Sequence, residues 1–520
     1  MSTLRSRTQS SIQNIVYSLI GQSASLIISF ILRIIFVREL NKSYLGVDSL
    51  FTSLVTVLSL AELGIGSAIN YSLYKPLAEK NIRQISLLMK LYKRAYIIIG
   101  VVVFIIGCAM TPFIGYISNT NGKVPNLKLF FMLFVINSSI SYFYSYKKSL
   151  IIADQYRYIT VVYNYTSFII MSIVQGIVLI CFKNYSLYLI VMITATFVQN
   201  VLISKKADKM YPYLKQPIEG TVSKSTRNLI IKNSYAMSLH KLGGVVVNST
   251  DSIIISRFLG IKEVGKYSNY LLVTNALNVV FGQIFTAVVA SVGNLGATGD
   301  RKHTIRVFNL VLFLGFWLVS FCACCLFIMF NPFISLWVGK DYVLSKFIVA
   351  AIVLNFYIYQ IRRPVLTFRD AMGIYWFDRY VPIVESILNL SISILLVRHM
   401  GLAGTLFGTI VSSLLTVVWI EPYMLYKHAL REKVSLYFKK LVGYTSVFIG
   451  DTYITSFISL KISHLINNEY MSFIVLALVC VVVFNAIFTL VFFNNENFKN
   501  ATELFKNIFL KFANRLQKEN

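Results

Sequence analysis

The chain has 520 residues, 56% of them hydrophobic and 13% charged, with a mean hydropathy of +0.68 and a formal net charge of +28. A water-soluble domain carries about a quarter of its residues as Asp, Glu, Lys and Arg, so this composition excludes an ordinary soluble fold and assigns the chain to a bilayer. The basic residues lie in short clusters between apolar segments and form no dense, aromatic-laced patch, which makes membrane topology the source of the charge and excludes nucleic acid as a partner.

In chain order, about fourteen stretches are long and apolar enough to cross roughly 30 Å of hydrocarbon. They are residues 12–36, 44–72, 95–117, 128–146, 160–182, 186–204, 233–256, 267–290, 307–330, 345–361, 381–397, 402–420, 440–460 and 470–493. The first follows MSTLRSRTQSSIQNIV and lacks a small-residue cleavage site, so it reads as a retained helix and not as a removed signal peptide. Alternate loops carry about 35 Lys and Arg on the N-terminal side against about 12 on the other, which by the positive-inside rule puts both termini in the cytoplasm. The basic inner loops include 74–94, 147–158, 204–232 and 426–440; outer loops such as NTNGKVPNLK (119–128) are too short to fold as domains. Cys108, Cys181, Cys322, Cys324, Cys325 and Cys480 all fall in apolar segments without a CxxC pair, so they read as small buried hydrophobes and not as metal ligands or disulfides. After the last span, Leu504, Phe505, Ile508, Phe509, Phe512 and Leu516 recur at helical spacing, with Lys506, Lys511, Arg515 and Lys518 on other faces. That pattern predicts a basic amphipathic helix on an anionic leaflet.

Residues 38–46, RELNKSYLG, and 257–265, RFLGIKEVG, share the pattern R-x-L-x4-[LV]-G, and at the same offset Ser67, Ala68 and Ile69 match Thr286, Ala287 and Val288. The repeat predicts an all-α polytopic protein of two pseudosymmetric six-helix bundles, over 1–220 and 221–435. Helices 13 and 14 follow over 436–495 and the cytoplasmic tail over 496–520. Related halves in one membrane chain are the layout of an alternating-access transporter.

A charge at the bilayer centre costs about 2.5–3.5 kcal/mol on insertion scales, so the few that remain are candidates for function. Arg33, Glu62, Lys241, Asp251 and Glu385 fall within predicted spans. By the repeat offset Arg33 stands opposite Ser252, next to Asp251, so pseudosymmetry would set a cation and an anion face to face. One reading makes Arg33 and Lys241 the contacts of an anionic head group and Asp251, Glu62 or Glu385 a counter-ion or a seat for a coupling H+ or Na+. The other makes them structural salt bridges, and the residues admit both. For Arg38 and Arg257, at segment ends, interfacial snorkelling is the better reading. His240 reads as a packed or interfacial histidine. Arg362 and Arg363, in IRRPVLTFRDAMGIYWFDRY (361–380), suit a pyrophosphate bound bidentately, and suit local ion pairs equally well. No GxxxxGK[ST], HExxH or GxSxG is present, so neither catalysis, a metal nor a nucleotide-driven motor is expected.

The stretches SLAELGIGSAINYSLYKPLAEKN (59–81), SLIIADQYRYI (149–159), NSTDSIIISRFLGIKEVGKYSNY (248–270) and RDAMGIYWFDRYVPIVESILNLSISILLVRHMGLAGTLFGTI (369–410) resemble the polysaccharide flippases of the multidrug/oligosaccharidyl-lipid/polysaccharide exporter superfamily. The O-antigen and capsule repeat-unit translocases are the nearest in kind, and the likeness runs from about the first helix to EPYMLYK (421–427). The resemblance implies fourteen helices in two lobes around a central cationic cavity, and transfer of an undecaprenyl-pyrophosphate-linked oligosaccharide across the bacterial cytoplasmic membrane for surface polysaccharide assembly. It implies no cofactor beyond a coupling ion, action as a monomer among membrane lipids, and a polysaccharide polymerase and chain-length regulator as partners. A peptidoglycan-precursor flippase and a cation-coupled drug exporter of the same superfamily are the alternatives. A membrane polysaccharide polymerase is more remote, because the outer loops are too short to carry its catalytic residues.

Overall fold

The computed structural model describes residues 7–519 except 63, 64, 121, 123, 217, 218, 299, 300 and 375; several side-chain stretches, among them 7–16, 232–237, 239–241, 287–298 and 511–519, also lie outside the description. The described residues form twenty α-helices with short 3-10 and π turns and no strand. In chain order these are α1 (Arg7–Glu39), α2 (Lys42–Leu58), α3 (Ile65–Ala78), α4 (Ile82–Met110), α5 (Ile114–Ser118), α6 (Leu127–Tyr142), α7 (Ser145–Ala153), α8 (Arg157–Phe182), α9 (Tyr185–Met210) and α10 (Lys224–Leu259). They continue with α11 (Ile261–Thr298), α12 (Arg301–Trp337), α13 (Lys346–Ile361), α14 (Arg363–Ala371), α15 (Val381–Met400), α16 (Leu402–Leu415), α17 (Val417–Leu425), α18 (Ser435–Ser463), α19 (Glu469–Phe492) and α20 (Glu496–Glu519).

Eight helical stretches among the described residues are long and apolar enough to cross a membrane, or nine if α6 and α7, bent by 44°, count as one span. The protein is therefore a multi-pass, all-helical membrane protein. The other expected spans are helical too. Residues 44–72 are broken at Ser59–Glu62 into α2 and α3, 345–361 form the short α13, and 233–256, 267–290 and 440–460 lie in α10, α11 and α18.

The chain divides into two compact units, one up to Ser268 and one from Asn269, so the boundary falls inside α11. In the first unit α1 lies along α8, α6 against α4 and α9, and α10 against α2 and α3. Its core is aromatic: the Phe51 ring meets Phe131 and Phe134 edge-on at 5.2 and 5.6 Å, and Tyr44 and Phe130 close on Tyr185 at 5.3 and 5.0 Å. Asn41, Asn81 and Asn184 start α2, α4 and α9 by accepting hydrogen bonds from otherwise orphaned backbone N–H groups.

The two repeat-related segments meet within this unit. A Cβ on Gly46 would collide with the carbonyl of Ile261, and one on Gly265 would collide with the carbonyl of Lys42 and approach the Gly46 nitrogen at 3.2 Å. Lys42 and Ile261 hold the same place in the two repeats and open α2 and α11, so each helix start packs its glycine on the other's first residue. Only glycine permits backbones to approach this closely.

In the second unit α12 is central and carries α13, α14, α18, α19 and α20 around it. Phe316 stacks on Tyr444 at 4.4 Å, and Phe313 touches Phe488 and Phe492 at 5.6 and 5.3 Å. α15 and α16 form a tight hairpin in which Gly404 and Gly408 lie directly on Leu396 and Ser393. The tail is helical, as its periodicity predicts. It docks on α12 through buried Ala501 and through Phe498 and Phe505, 6.5 and 6.4 Å from Phe313 and Trp317. The side chains of Ile508, Phe509, Lys511, Phe512, Arg515, Leu516 and Lys518 lie outside the described residues.

Gly46→Ala or Gly265→Ala forces the two helix starts apart and lowers stability by about 1–3 kcal/mol. Gly115→Ala, where an added Cβ meets nothing within 4 Å, stays within about 0.5 kcal/mol of wild type. Thermal unfolding of the detergent-solubilised variants, followed by loss of the monodisperse chromatographic peak, separates the two outcomes.

Candidate functional site

The first unit contains a polar cleft of about 460 Å³, lined by Glu62, Tyr96, Tyr142, Lys148, Gln199 and Asn200 together with small hydroxyl side chains. Two helix breaks build it. α2 ends at Leu58 and the chain turns through Ser59–Glu62, which sets the Glu62 carboxylate inside the bundle, where the Tyr96 hydroxyl donates to Oε1 at 3.4 Å. Across from it, the bend between α6 and α7 interrupts the ladder, and the Asn200 side-chain amide donates to the carbonyls of Ile140 and Ser141, both at 3.3 Å. Irregular backbone at membrane depth is tolerated only when such partners satisfy it. Lys148 Nζ and the Gln199 amide converge on the Asn164 side-chain oxygen at 3.3 and 2.8 Å. One anion, one cation and a ring of hydroxyl and amide groups thus share a single concavity.

The other sequence-derived candidates of this unit lie elsewhere. Arg33 on α1 donates from Nη1 to Ser268 Oγ at 3.4 Å, and its charge also acts on Asp48 of α2, whose Oδ1 accepts from the Tyr185 hydroxyl at 3.1 Å. Asp48 lies in the same apolar stretch as Glu62 and carries the same signal, an acid within a predicted span. Asp251 is buried on α10, and its Oδ1 has no hydrogen-bond partner. Among the described residues no ion pair joins Asp251 to Arg33. Arg257 places its guanidinium 3.9 Å over the Tyr116 ring while its carbonyl accepts from Asn119. Lys241 and His240 belong to α10, and their side chains lie outside the described residues.

In the second unit Arg362 grips Glu421 with both edges of its fork, Nε to Oε2 at 3.0 Å and Nη2 to Oε1 at 2.7 Å, and both side chains are buried. Arg369 adds 2.7 Å to Asp378 and 3.8 Å to Glu421. Glu385 accepts from Ser413 at 2.7 Å. The bidentate geometry offered to a pyrophosphate at Arg362 is therefore spent on a carboxylate. Arg363 donates to Gln360 at 3.2 Å, with its guanidinium 5.2 Å over the Tyr359 ring. Glu421 is 59 positions from Arg362, and nothing local in the sequence marks so distant a partner.

Beyond the spans, the turn after α7 holds Asp154, which accepts from the Tyr211 hydroxyl at 2.8 Å and ties this turn to the end of α9. Burial pushes the Asp154 carboxyl above its ordinary value, and the Tyr211 bond partly offsets that.

The sequence matches the family model described as "Polysaccharide biosynthesis protein" over residues 11–290. Among solved structures, the fold is shared with "Lipid II flippase MurJ, inward closed conformation", at 14% identity and TM-score 0.65 over 92% of this chain and 99% of that one. An inward-facing multidrug resistance MATE family transporter of the MOP superfamily matches at 13% identity and TM-score 0.59 over 80% and 99% of the two chains. The Vibrio cholerae MATE transporter VcmN matches at 13% and 0.54 over 82% and 98%. No curated protein sequence matches. The architecture is thus that of the superfamily which the sequence resembled.

Glu421→Gln leaves the buried Arg362 charge without its counter-ion and costs about 3–5 kcal/mol, whereas a double change, Arg362→Met with Glu421→Leu, recovers most of the loss. A double-mutant cycle on thermal stability measures the difference. Tyr211→Phe removes a charge-assisted bond worth about 1 kcal/mol after solvent screening. An acid whose folded pKa is raised loses stability as pH rises through that pKa. The Tyr211 hydroxyl works against that by favouring the ionised carboxyl, so the Tyr211→Phe deficit is full where Asp154 is ionised and shrinks as pH falls and the carboxyl protonates, a trend readable from melting curves across pH.

Proposed function

The chain belongs to the polysaccharide biosynthesis protein family, and from that premise we propose that it moves lipid-linked oligosaccharide repeat units from the inner to the outer leaflet of a bacterial cytoplasmic membrane. One observation carries the reading above all: a polar cleft of about 460 Å³ holding Glu62 and Lys148 inside helices that are otherwise apolar. A sugar chain bearing phosphates cannot cross hydrocarbon unaided, while a polyprenyl tail can remain in lipid. The protein then need only offer hydroxyl and amide partners and a cation along the way, and Tyr96, Tyr142, Gln199, Asn200 and Lys148 are side chains of that kind.

In this reading Arg33, Lys241 and Arg363 supply further positive charge for a phosphate head group, and Arg362, held by Glu421, braces its neighbour. Asp251, Glu62 and Glu385 are the acids that answer a coupling H+ or Na+. The helices alternate between inward- and outward-open arrangements, and no bond of the substrate is made or broken. Both termini lie in the cytoplasm, and the protein works as a monomer that hands its cargo to a polysaccharide polymerase and chain-length regulator.

The test is deletion of the gene in its host, followed by assay of lipid-linked oligosaccharide with a membrane-impermeant glycosidase. Intermediates are expected to accumulate in the inner leaflet and to be cleared by the wild-type gene. Glu62→Gln and Lys148→Met should each lower transfer about tenfold or more, the worth of one charged hydrogen bond. Unchanged intermediates with altered drug tolerance would move the assignment to a drug exporter, and accumulation of the peptidoglycan precursor would move it to that substrate.

A further inference from the structure

The helix pair that ends the second unit contains an acid that the transport reading does not use. Asp451, midway along α18, is 2% exposed; its Oδ1 accepts from Thr455 at 3.1 Å and its Oδ2 has no hydrogen-bond partner. Thr452 Oγ1, next in sequence, and Ser459 Oγ, about two turns further along the helix, are likewise buried with no hydrogen-bond partner, each beside a cysteine thiol. The titratable neighbour from α12 is the Cys324 thiol, which lies beside Asp451, Thr452 and Thr455; from α19 it is the Cys480 thiol, which lies beside Cys324 and Ser459. Neither is a cation. A carboxylate in such a place is stable only as the neutral acid or with a positive ion upon it.

Geometry also supplies a route. A cavity of about 550 Å³ opens between α12, α13, α18 and α19, bounded by Asn331, Ser335, Ser459, Ser463 and two charged groups at its rim, Lys346 and Glu469. It lies at the α18–α19 turn, the end that the loop charges assign to the outer side. Ser463, Ser459, Thr455 and Asp451 recur every fourth residue, so they share one face of α18 and descend from the cavity wall to the carboxylate over about 18 Å. Ser459 belongs both to the wall and to the buried, unpartnered set.

We propose that Asp451 is the seat of a small monovalent cation, H+ or Na+, that reaches it from this cavity along the hydroxyl face of α18. Hydroxyls both donate and accept, so they can relay a proton; a hydronium ion in the cavity becomes water as Oδ2 becomes an uncharged acid. For sodium, the carboxylate and the nearby hydroxyls of Thr452 and Thr455 supply oxygen ligands, with Ser459 one step further out on the route. Either ion leaves the site neutral. The site is independent of the sugar pathway and is tested without it.

The full chain in nanodiscs is titrated with pH in sodium-free buffer while the infrared carbonyl band of protonated carboxylic acid is followed. The expected result is a band that grows as pH falls in the wild-type minus Asp451→Asn difference spectrum, the component that the other carboxyls of the chain leave unchanged. Sodium added at fixed pH bleaches this band if sodium takes the site and leaves it if the proton alone does. Identical spectra in wild type and Asp451→Asn at every pH and sodium concentration would overturn the proposal. Ser459→Ala keeps the carboxylate and guards against a misfolded Asp451→Asn: it should slow the band's response to a pH jump several-fold, and an unslowed response rules out the route.

Discussion

Hydrocarbon offers no partner to an open peptide group, and that constraint orders the whole molecule. It explains why every described span is a helix, and it makes each interruption informative. The first unit breaks its helices at Ser59–Glu62 and again between Tyr142 and Ser145, and both breaks border the same polar cleft. Asn200, bonded to the carbonyls beside the second break, keeps the irregular backbone satisfied and also lines the cleft. Local disorder of the ladder and the chemistry of the site are one arrangement seen from two sides.

The charges divide by how they are compensated. Arg362, Glu421, Arg369 and Asp378 neutralise one another in a fixed set, buried except for the partly exposed Arg369, which suits a support. Asp251 and Asp451 are buried with no ion pair among the described residues, and each keeps a carboxylate oxygen without a hydrogen-bond partner, which suits a group that changes its charge or its company. Glu62 stands between these cases, with a long hydrogen bond from Tyr96 and an open cleft before it.

The fold was legible because run length and apolarity report membrane spans directly, and the repeat around Gly46 and Gly265 stood out in the letters. Glu62 was found because a lone acid in a greasy run is conspicuous. Asp48 and Asp451 carry the same signal, within 44–72 and 440–460. Lys148 was hidden: it belongs to the basic loop 147–158 and counts toward topology, yet its side chain turns back to Asn164. Pairings such as Arg362 with Glu421 join distant positions, and only the folded backbone brings them together. Pseudosymmetry suggested Arg33 opposite Asp251, whereas Arg33 reaches Ser268.

The glycine crossing ties together two connections far apart in the chain. Because Gly46 rests on Ile261 and Gly265 on Lys42, the register of α2 is read against α11 and that of α11 against α2. One residue inserted between Lys42 and Gly46 would turn the glycine about 100° around its helix and present a side chain to the opposing carbonyl. The α1–α2 and α10–α11 junctions are therefore loops by appearance only. Neither can drift in length alone, and the places where this chain tolerates insertion must be sought elsewhere.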